Sequence, residues 1–181
     1  SMSHVGLIAA GLFTMSEAGL QGGFVQMFNH GINVVGLFLV ADILEKRLKT
    51  RDITTMGGIA SKAPIFALLS FIIVCGAMAV PLTNGFPGEL LLLKSVFTYN
   101  AWLGAFAGLT IIFCAVYMLR IFQLVMFGGT KPSTEHFEEV NSIEGVSLGI
   151  VAFFVVILGI FPQSILDMSG SAVKSFLGFV G

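Results

Sequence analysis

The sequence contains few charged residues, and this scarcity excludes most classes of protein. Only 10% of the 181 residues are charged, whereas 56% are hydrophobic and the mean hydropathy is +0.96. A soluble domain of this length does not carry so apolar a composition on its surface. The formal net charge is −1, so the chain offers no basic field for nucleic acid. The composition therefore predicts an integral membrane protein that contacts the lipid bilayer and binds no nucleic acid.

Cysteine and metal-ligand motifs are also scarce. Cys75 and Cys114 each stand alone in an apolar run, without the paired spacing of a redox or metal motif. We interpret both as buried, inert thiols. The loop GGTKPSTEHFEEVNSIEG holds several carboxylates and His136, but their spacing matches no metal site, and we interpret them as solvated. The sequence predicts no metal and no cofactor in this chain.

Long apolar runs, by contrast, recur along the chain. Runs of about 20 apolar residues predict membrane-spanning helices, and we expect an all-α polytopic transmembrane bundle of about five helices, one of them broken. The first run is too short to span, which suggests that the sequence begins inside a helix. Residues 164–181 are too few and too mixed to span, and are expected to lie in the membrane interface. The predicted helices cover residues 1–15, 19–44, 63–97 with a break at 81–88, 101–127 and 145–161.

The basic residues indicate how the bundle is oriented. Cytoplasmic loops of membrane proteins are enriched in Lys and Arg. The end of the bundle that carries most of the cations is therefore predicted to be cytoplasmic, with the C-terminus on the outer side of the inner (cytoplasmic) membrane. The residues that mark this end are Lys46, Arg47, Lys49, Arg51, Lys62, Arg120 and Lys131.

The second predicted helix carries a stripe of polar residues. Gln26, Asn29, His30 and Asn33 recur at spacings of three and four, which places them on one helix face. Because hydrocarbon cannot hydrogen-bond to polar groups, this face is expected to meet other helices or internal water. Helix packing alone explains the amides. His30 can also transfer a proton near neutral pH, so both a structural and a relay role are open for it.

The third predicted helix is interrupted by residues that favour turns. Pro81 and Pro87 each remove a backbone donor, and Asn84, Gly85 and Gly88 favour turn geometry. Unwound backbone at membrane depth requires protein or water around it, as at the ion sites of transporters. The interruption therefore predicts a functional region inside the bundle.

Glu89 follows this interruption, in the predicted first turn of the second half-helix, where the helix dipole favours a carboxylate. We interpret it as a group that loads and releases protons, with structural capping as the alternative. Lys94 lies about 140° around the helix from Glu89 and does not share its face. It is expected to reach the outer interface or to meet a partner on another helix.

Four segments carry a resemblance to a known family: SMSHVG, QMFNHGINVVGLFLVADILEKRLKTRD, MGGIASKAP and PLTNGFPGE. In this order and at these spacings they closely resemble the C-terminal part of subunit M of the bacterial NADH:quinone oxidoreductases, respiratory complex I. The resemblance covers essentially the whole chain. It implies a membrane-arm subunit related to the cation/proton antiporters, with two inverted repeats and a broken helix in each. Residues 1–181 would form the second repeat in part.

The resemblance also implies roles for particular residues. Glu89 would end a proton channel, and His30 and His4 would belong to a polar axis that links one channel to the next. His4 has little local support in the sequence, because its helix is incomplete. Lys94 is not part of the family pattern, but we include it among the groups that support the axis. These supporting groups are Gln26, Asn29, Asn33 and Lys94.

The implied function is proton translocation coupled to quinone reduction elsewhere in the complex. NADH, FMN, iron–sulfur clusters and quinone would be bound by other subunits, and the partners would be other membrane-arm subunits. One alternative is a subunit of a cation/proton antiporter or a related membrane-bound hydrogenase. Antiporter relatives carry a lysine one turn after the second histidine, where this chain has Val34, which argues against that alternative. A purely structural membrane-arm protein is the other alternative.

Overall fold

The central element of the fold is one long helix that packs against helices from both halves of the chain. The computed structural model describes residues 1–180, which are helical with short connections. The long helix, α2, packs against α1, α4, α5, α7 and α8. The helices are α1 (Met2–Phe13), α2 (Glu17–Leu48), α3 (Ile59–Lys62), α4 (Pro64–Ala77), α5 (Gly85–Tyr99), α6 (Ala101–Met126), α7 (Ser142–Ile160) and α8 (Gln163–Val180), with a 3-10 turn at Ile53–Thr55.

The all-α transmembrane class is confirmed. Within residues 1–180, α2, α6 and α7 are each long and apolar enough to cross a membrane. α1 has 12 residues and α4 has 14. At about 1.5 Å of rise per residue, neither of these shorter helices crosses a bilayer alone. α4 and α5 follow each other through the third predicted span, which is therefore a broken helix.

The break lies earlier in the chain than predicted. The unwound segment covers residues 78–84 instead of 81–88. Ala79 and Leu82 take positive φ angles of 52° and 73°, a conformation that does not continue a right-handed helix. Pro87 falls in the first turn of α5, where a missing N–H leaves no intrahelical bond unmade. The strained residues, not Pro87, therefore mark the interruption.

Helix α7 supports the unwound segment. The Asn84 N–H donates to the Val155 carbonyl oxygen at 2.8 Å. Gly159 lies so close to the segment that an added Cβ would overlap the backbone of Leu82 and Thr83. On the side of α7, the unwound backbone is therefore packed in protein rather than open to lipid.

Capping side chains set the first residues of α2 and α7, which the pattern of apolar residues predicted only to within a few positions. The Ser16 hydroxyl accepts a hydrogen bond from the Gly19 N–H at 3.1 Å, and α2 begins at Glu17 instead of residue 19. Asn141 and Glu144 form a reciprocal capping box, so α7 begins three residues before its predicted start at 145. These caps satisfy N–H groups that the first turn of each helix leaves free.

The loop before α7 is tied to the bundle, which corrects the interpretation of its carboxylates as solvated. Glu139 accepts hydrogen bonds from the N–H groups of Ile65 at 2.9 Å and Phe66 at 3.0 Å, and so caps the start of α4. Arg47 of α2 forms an ion pair with Glu144. The partners of Glu139 lie more than 70 residues away in the chain, so local spacing does not reveal them.

The segment predicted to lie in the membrane interface forms α8. It packs beside the start of α2, where Gln21 Nε2 donates to the Leu166 carbonyl oxygen at 3.0 Å. Lys174 Nζ lies 3.9 Å from Glu17 Oε1 on the same side. In the described part of the chain, α8 is not among the helices apolar enough to cross a membrane. Its location at an interface stays a prediction.

Candidate functional site

The polar stripe of α2 faces the interior of the bundle. Gln26, Asn29 and Asn33 are 2%, 0% and 3% exposed, respectively, and His30 is half-buried. These side chains meet residues of α1, α4 and α5. Because α2 is central, the stripe brings its polar groups to the place where the broken helix passes.

Asn29 and Asn84 connect α2 to the unwound segment by a reciprocal pair of hydrogen bonds. Asn29 Nδ2 donates to the Asn84 carbonyl oxygen at 2.6 Å, and Asn84 Nδ2 donates to the Asn29 carbonyl oxygen at 3.3 Å. Since both amide nitrogens meet carbonyl acceptors, the orientation of each amide is defined. The Oδ1 atoms of Asn29, Asn33 and Asn84 are buried without a hydrogen-bond partner among residues 1–180. Buried acceptors of this kind are the groups that internal water satisfies.

Glu89 is buried in α5, beyond its predicted position in the first turn. α5 begins at Gly85, so Glu89 is its fifth residue, and it is 4% exposed. The helix dipole weakens beyond the first turn, so the contacts of Glu89 with other side chains become the relevant ones. Gln26 Nε2 donates to Glu89 Oε1 at 3.2 Å. Gly88 permits this approach, because a Cβ there would lie 2.5 Å from Gln26 Oε1.

His4 of α1 contacts the same carboxylate directly. Its Nε2 atom lies 3.2 Å from Glu89 Oε1 and 3.1 Å from the Ala77 carbonyl oxygen. A carbonyl only accepts, so Nε2 is the protonated nitrogen and the ring donates from it. Ala77 is the last residue of α4. His4 therefore connects the end of the first half-helix with the carboxylate of the second, although its local sequence offered little support for such a role.

His30 reaches the carboxylate only by way of His4. The two imidazole rings stack with their centroids 5.1 Å apart and their planes at 29°. His4 and His30 lie on different helices, so this contact depends on how α1 packs on α2. The three residues predicted to transfer protons thus form a row in the order His30, His4, Glu89.

Lys94 faces away from this row, and its role among the supporting residues stays a prediction. It is exposed and borders a groove between α5 and α6, together with Leu90 and Phe97. The offset of five residues from Glu89 turns the lysine away from the carboxylate. The structure therefore separates Lys94 from Gln26 and the other polar residues of α2.

Two residues of α6 join the site, and the sequence interpretation did not include either. Cys114, predicted to be an inert thiol, is 3% exposed, and its Sγ atom lies 3.9 Å from His4 Nε2. The Tyr117 hydroxyl donates to Cys114 Sγ at 3.2 Å. The spacing of Thr110, Cys114 and Tyr117 was the available signal, because intervals of four and three share a helix face. Within residues 1–180, no set of His, Cys, Asp and Glu side chains is arranged to hold a metal ion.

The fold and the site together define a class of protein. The fold is that of a multi-pass membrane protein with a broken helix, and transporters build their ion sites at breaks of this kind. Residues 1–115 match the family described as NADH:quinone oxidoreductase/Mrp antiporter, TM. The chain belongs to this family.

Individual relatives agree with the family match. NADH-quinone oxidoreductase subunit M of Rickettsia conorii is 35% identical over 178 residues, which are 98% of this chain and 36% of that protein. A chain of respiratory complex I from Thermus thermophilus with bound NADH is 28% identical with a TM-score of 0.87, over 98% of this chain and 38% of that chain. The Mrp complex from Dietzia sp. shares the fold, with a TM-score of 0.84 at 18% identity over 94% of this chain and 40% of that chain. The chain therefore spans little more than a third of the length of these relatives.

Proposed function

We propose that this chain is the C-terminal part of a proton-translocating subunit in the membrane arm of an NADH:quinone oxidoreductase. The observation that carries the proposal is the 3.2 Å contact between Glu89 Oε1 and His4 Nε2, buried beside the broken helix. The similarity to subunit M supports the assignment to that complex. In this proposal other subunits bind NADH, FMN, iron–sulfur clusters and quinone, and this chain contributes proton transfer.

Glu89 exchanges a proton during each cycle. His4 Nε2 and Gln26 Nε2 each lie 3.2 Å from Glu89 Oε1. A small movement of His4 relative to Glu89 breaks the first of these contacts and so changes the hydrogen bonding of the carboxyl group. A shift of α1 against α5 is a motion of this kind, and it would couple events elsewhere in the complex to proton release.

His4 passes the proton along the membrane plane. An imidazole can accept a proton on one nitrogen and donate from the other. Nε2 of His4 faces Glu89, while its Nδ1 is buried without a partner in the described part of the chain. This leaves Nδ1 available for internal water that leads to the next group of the polar axis, because His30 stacks on the face of the ring and does not bond to Nδ1.

The orientation of the chain sets the direction of transport. The basic residues at one end of the bundle support a cytoplasmic location for that end, in an inner-membrane protein whose C-terminus lies outside. The Oδ1 atoms of Asn29, Asn33 and Asn84, which have no partner within residues 1–180, would accept hydrogen bonds from internal water beside the break. Glu89 then releases protons toward the outer side.

Substituting Glu89→Gln in the full-length protein tests this function. Glutamine keeps the shape and part of the hydrogen bonding but does not titrate. We expect the complex to assemble and its proton translocation in proteoliposomes to be lost. Glu135→Gln, the same change in an exposed loop, is the matched control and should leave translocation unchanged. Unchanged pumping by Glu89→Gln would instead support a purely structural role.

The family match also includes antiporters, which defines the second candidate function. A cation/proton antiporter of this fold would move Na+ in exchange for protons. The family resemblance places a lysine of antiporters where this chain has Val34, which favours the oxidoreductase. Proton uptake by vesicles that hold the full-length protein decides between them. We expect uptake to be independent of sodium, and dependence on sodium would establish the antiporter.

A further inference from the structure

Lys94 carries a charge on the outside of the bundle, away from the Glu89–His4 pair. It lies on α5 and is exposed. Within residues 1–180 its ammonium group forms no ion pair with a carboxylate. A cation on a membrane helix is costly without an anion, so a lysine at such a position is expected to mark a site with a partner. The anion that neutralises Lys94 therefore comes from outside the described part of the chain.

The side chain of Lys94 borders a groove of about 460 Å³ between α5 and α6. On α6 the groove is lined by the small residues Gly104, Ala105 and Gly108, and on α5 its lining is apolar apart from Lys94 and Thr98. The Thr98 hydroxyl donates to the Lys94 carbonyl oxygen at 2.8 Å and is thereby occupied. The ammonium group of Lys94 is therefore the group in this groove that can bind an anion.

The shape of the groove suits a single hydrocarbon chain better than another helix. At Gly104 an added Cβ would lie 2.5 Å from the Phe97 side chain, so α5 and α6 are in close contact there. At Gly108, one turn further along α6, an added Cβ would meet nothing within 4 Å. From Thr98 to Leu90 the groove extends for about 12 Å along α5. A helix with its side chains is about 10–12 Å across, whereas an acyl chain is thin enough to lie between two helices in contact.

Exposed aromatic residues mark the level of the lipid headgroups at this end of the bundle. Tyr99 ends α5 and Trp102 lies in the first turn of α6, and they are 70% and 78% exposed. Tyr and Trp are enriched where a membrane meets water. Lys94 lies about 7.5 Å from Tyr99 along α5, and a lysine extends its ammonium group toward the headgroups on its flexible stem. The ammonium group can therefore reach a phosphate while an acyl chain of the same lipid enters the groove.

We propose that Lys94 and this groove bind one anionic phospholipid, with its phosphate at the Lys94 ammonium group and an acyl chain along Leu90, Ala105 and Gly108. In the proposed orientation of the bundle this lipid belongs to the outer leaflet. The inference does not depend on proton transfer by Glu89. The attraction between one lysine and the net charge of the lipid favours an anionic over a zwitterionic headgroup about fivefold. The site therefore discriminates between lipids by their charge.

Photochemical crosslinking from the groove tests the site in the assembled membrane complex. The photoreactive p-benzoylphenylalanine is placed at Ala105, and the complex is reconstituted in vesicles of equal phosphatidylglycerol and phosphatidylethanolamine. We expect about five adducts with phosphatidylglycerol for each adduct with phosphatidylethanolamine, as measured by mass spectrometry of the crosslinked peptides. Thr98, on the rim of the groove, takes the photoreactive residue if the Ala105 variant does not assemble, and the same ratio is expected there.

Substitutions of Lys94 show whether its charge selects the lipid. Lys94→Met keeps a long apolar side chain without the charge, and should lower the ratio of adducts to the composition of the vesicles. Lys94→Arg keeps the charge and should keep the preference. Phe153, an exposed residue of a different helix, α7, is the matched position for the photoreactive residue. Its adducts should follow the composition of the vesicles in every variant.

Each contrary result has a definite meaning. Equal adducts with the two lipids at both groove positions, or a preference that persists in Lys94→Met, would overturn the proposal. Adducts with another protein chain in place of lipid would overturn it as well, because a neighbouring subunit would then cover the groove. Proton pumping by Glu89→Gln is measured separately. That variant should keep the lipid preference, so the lipid site and the proposed function can fail independently of each other.

Discussion

Replacing Gly159 of α7 by alanine is expected to displace the unwound segment of the broken helix. The added Cβ would lie closer than 3.0 Å to the backbone of Leu82 and Thr83, a spacing that real Cβ atoms essentially never show. A backbone cannot rotate away as a flexible side chain can, so either α7 or the unwound segment has to move. Overpacking of this kind typically costs about 1–3 kcal/mol. An alanine in a helix recovers roughly 0.5–1 kcal/mol relative to glycine, which leaves a net loss of about 1 kcal/mol.

Hydrogen exchange in the intact complex measures this loss where it occurs. The Asn84 N–H, which donates to the Val155 carbonyl oxygen at 2.8 Å, reports on the packing of the break. A loss of about 1 kcal/mol corresponds to roughly fivefold faster exchange by local opening. Gly149→Ala, on the same helix, is the matched control, because nothing lies within 4 Å of its added Cβ. Equal exchange in the two variants would refute the packing of α7 against the unwound segment.

The remaining predictions concern residues away from the break. Glu139→Ala removes the cap of α4 and should lower the free energy of unfolding by about 0.5–2 kcal/mol, with Glu135→Ala as the control in thermal unfolding; equal stabilities would refute the cap. Burial raises the pKa of the Glu139 carboxyl, but hydrogen bonds from three backbone N–H groups and the charge of Arg47 outweigh it and hold the pKa below its ordinary value of 4.5. The contribution of Glu139 to the free energy of unfolding is therefore complete above pH 4.5 and is lost as the pH falls below it. The stability of Glu139→Ala should not show this decline. Arg47→Gln should also lower the midpoint of thermal unfolding. Arg47→Lys should restore it only in part, because a lysine cannot reproduce the forked donors of the guanidinium. Full recovery in Arg47→Lys would show that charge alone matters. Lys94→Met should leave proton pumping unchanged, and a loss of pumping would show that this lysine acts in the polar axis.

Several features of the fold could be predicted from the sequence because they depend on composition or on residues close in the chain. Membrane insertion follows from the apolar runs, and the broken helix follows from the turn-forming residues around Pro81. The inward direction of Gln26, Asn29 and Asn33 follows from the cost of polar groups in hydrocarbon. The limits of the break were less predictable, since they depend on the φ angles of Ala79 and Leu82 and not on residue type alone.

The sequence by itself determined that a carboxylate follows a broken helix and that two histidines lie on other apolar helices of the bundle. Only the tertiary structure decided that Glu89 meets His4 directly, that His30 stands behind it, and that Cys114 completes the cluster. His4 and Cys114 are separated by 110 residues, and spacing within one helix does not show at which level another helix packs against it. The same reason explains Glu139, whose capping contacts with α4 arise only when the loop before α7 folds back on the bundle.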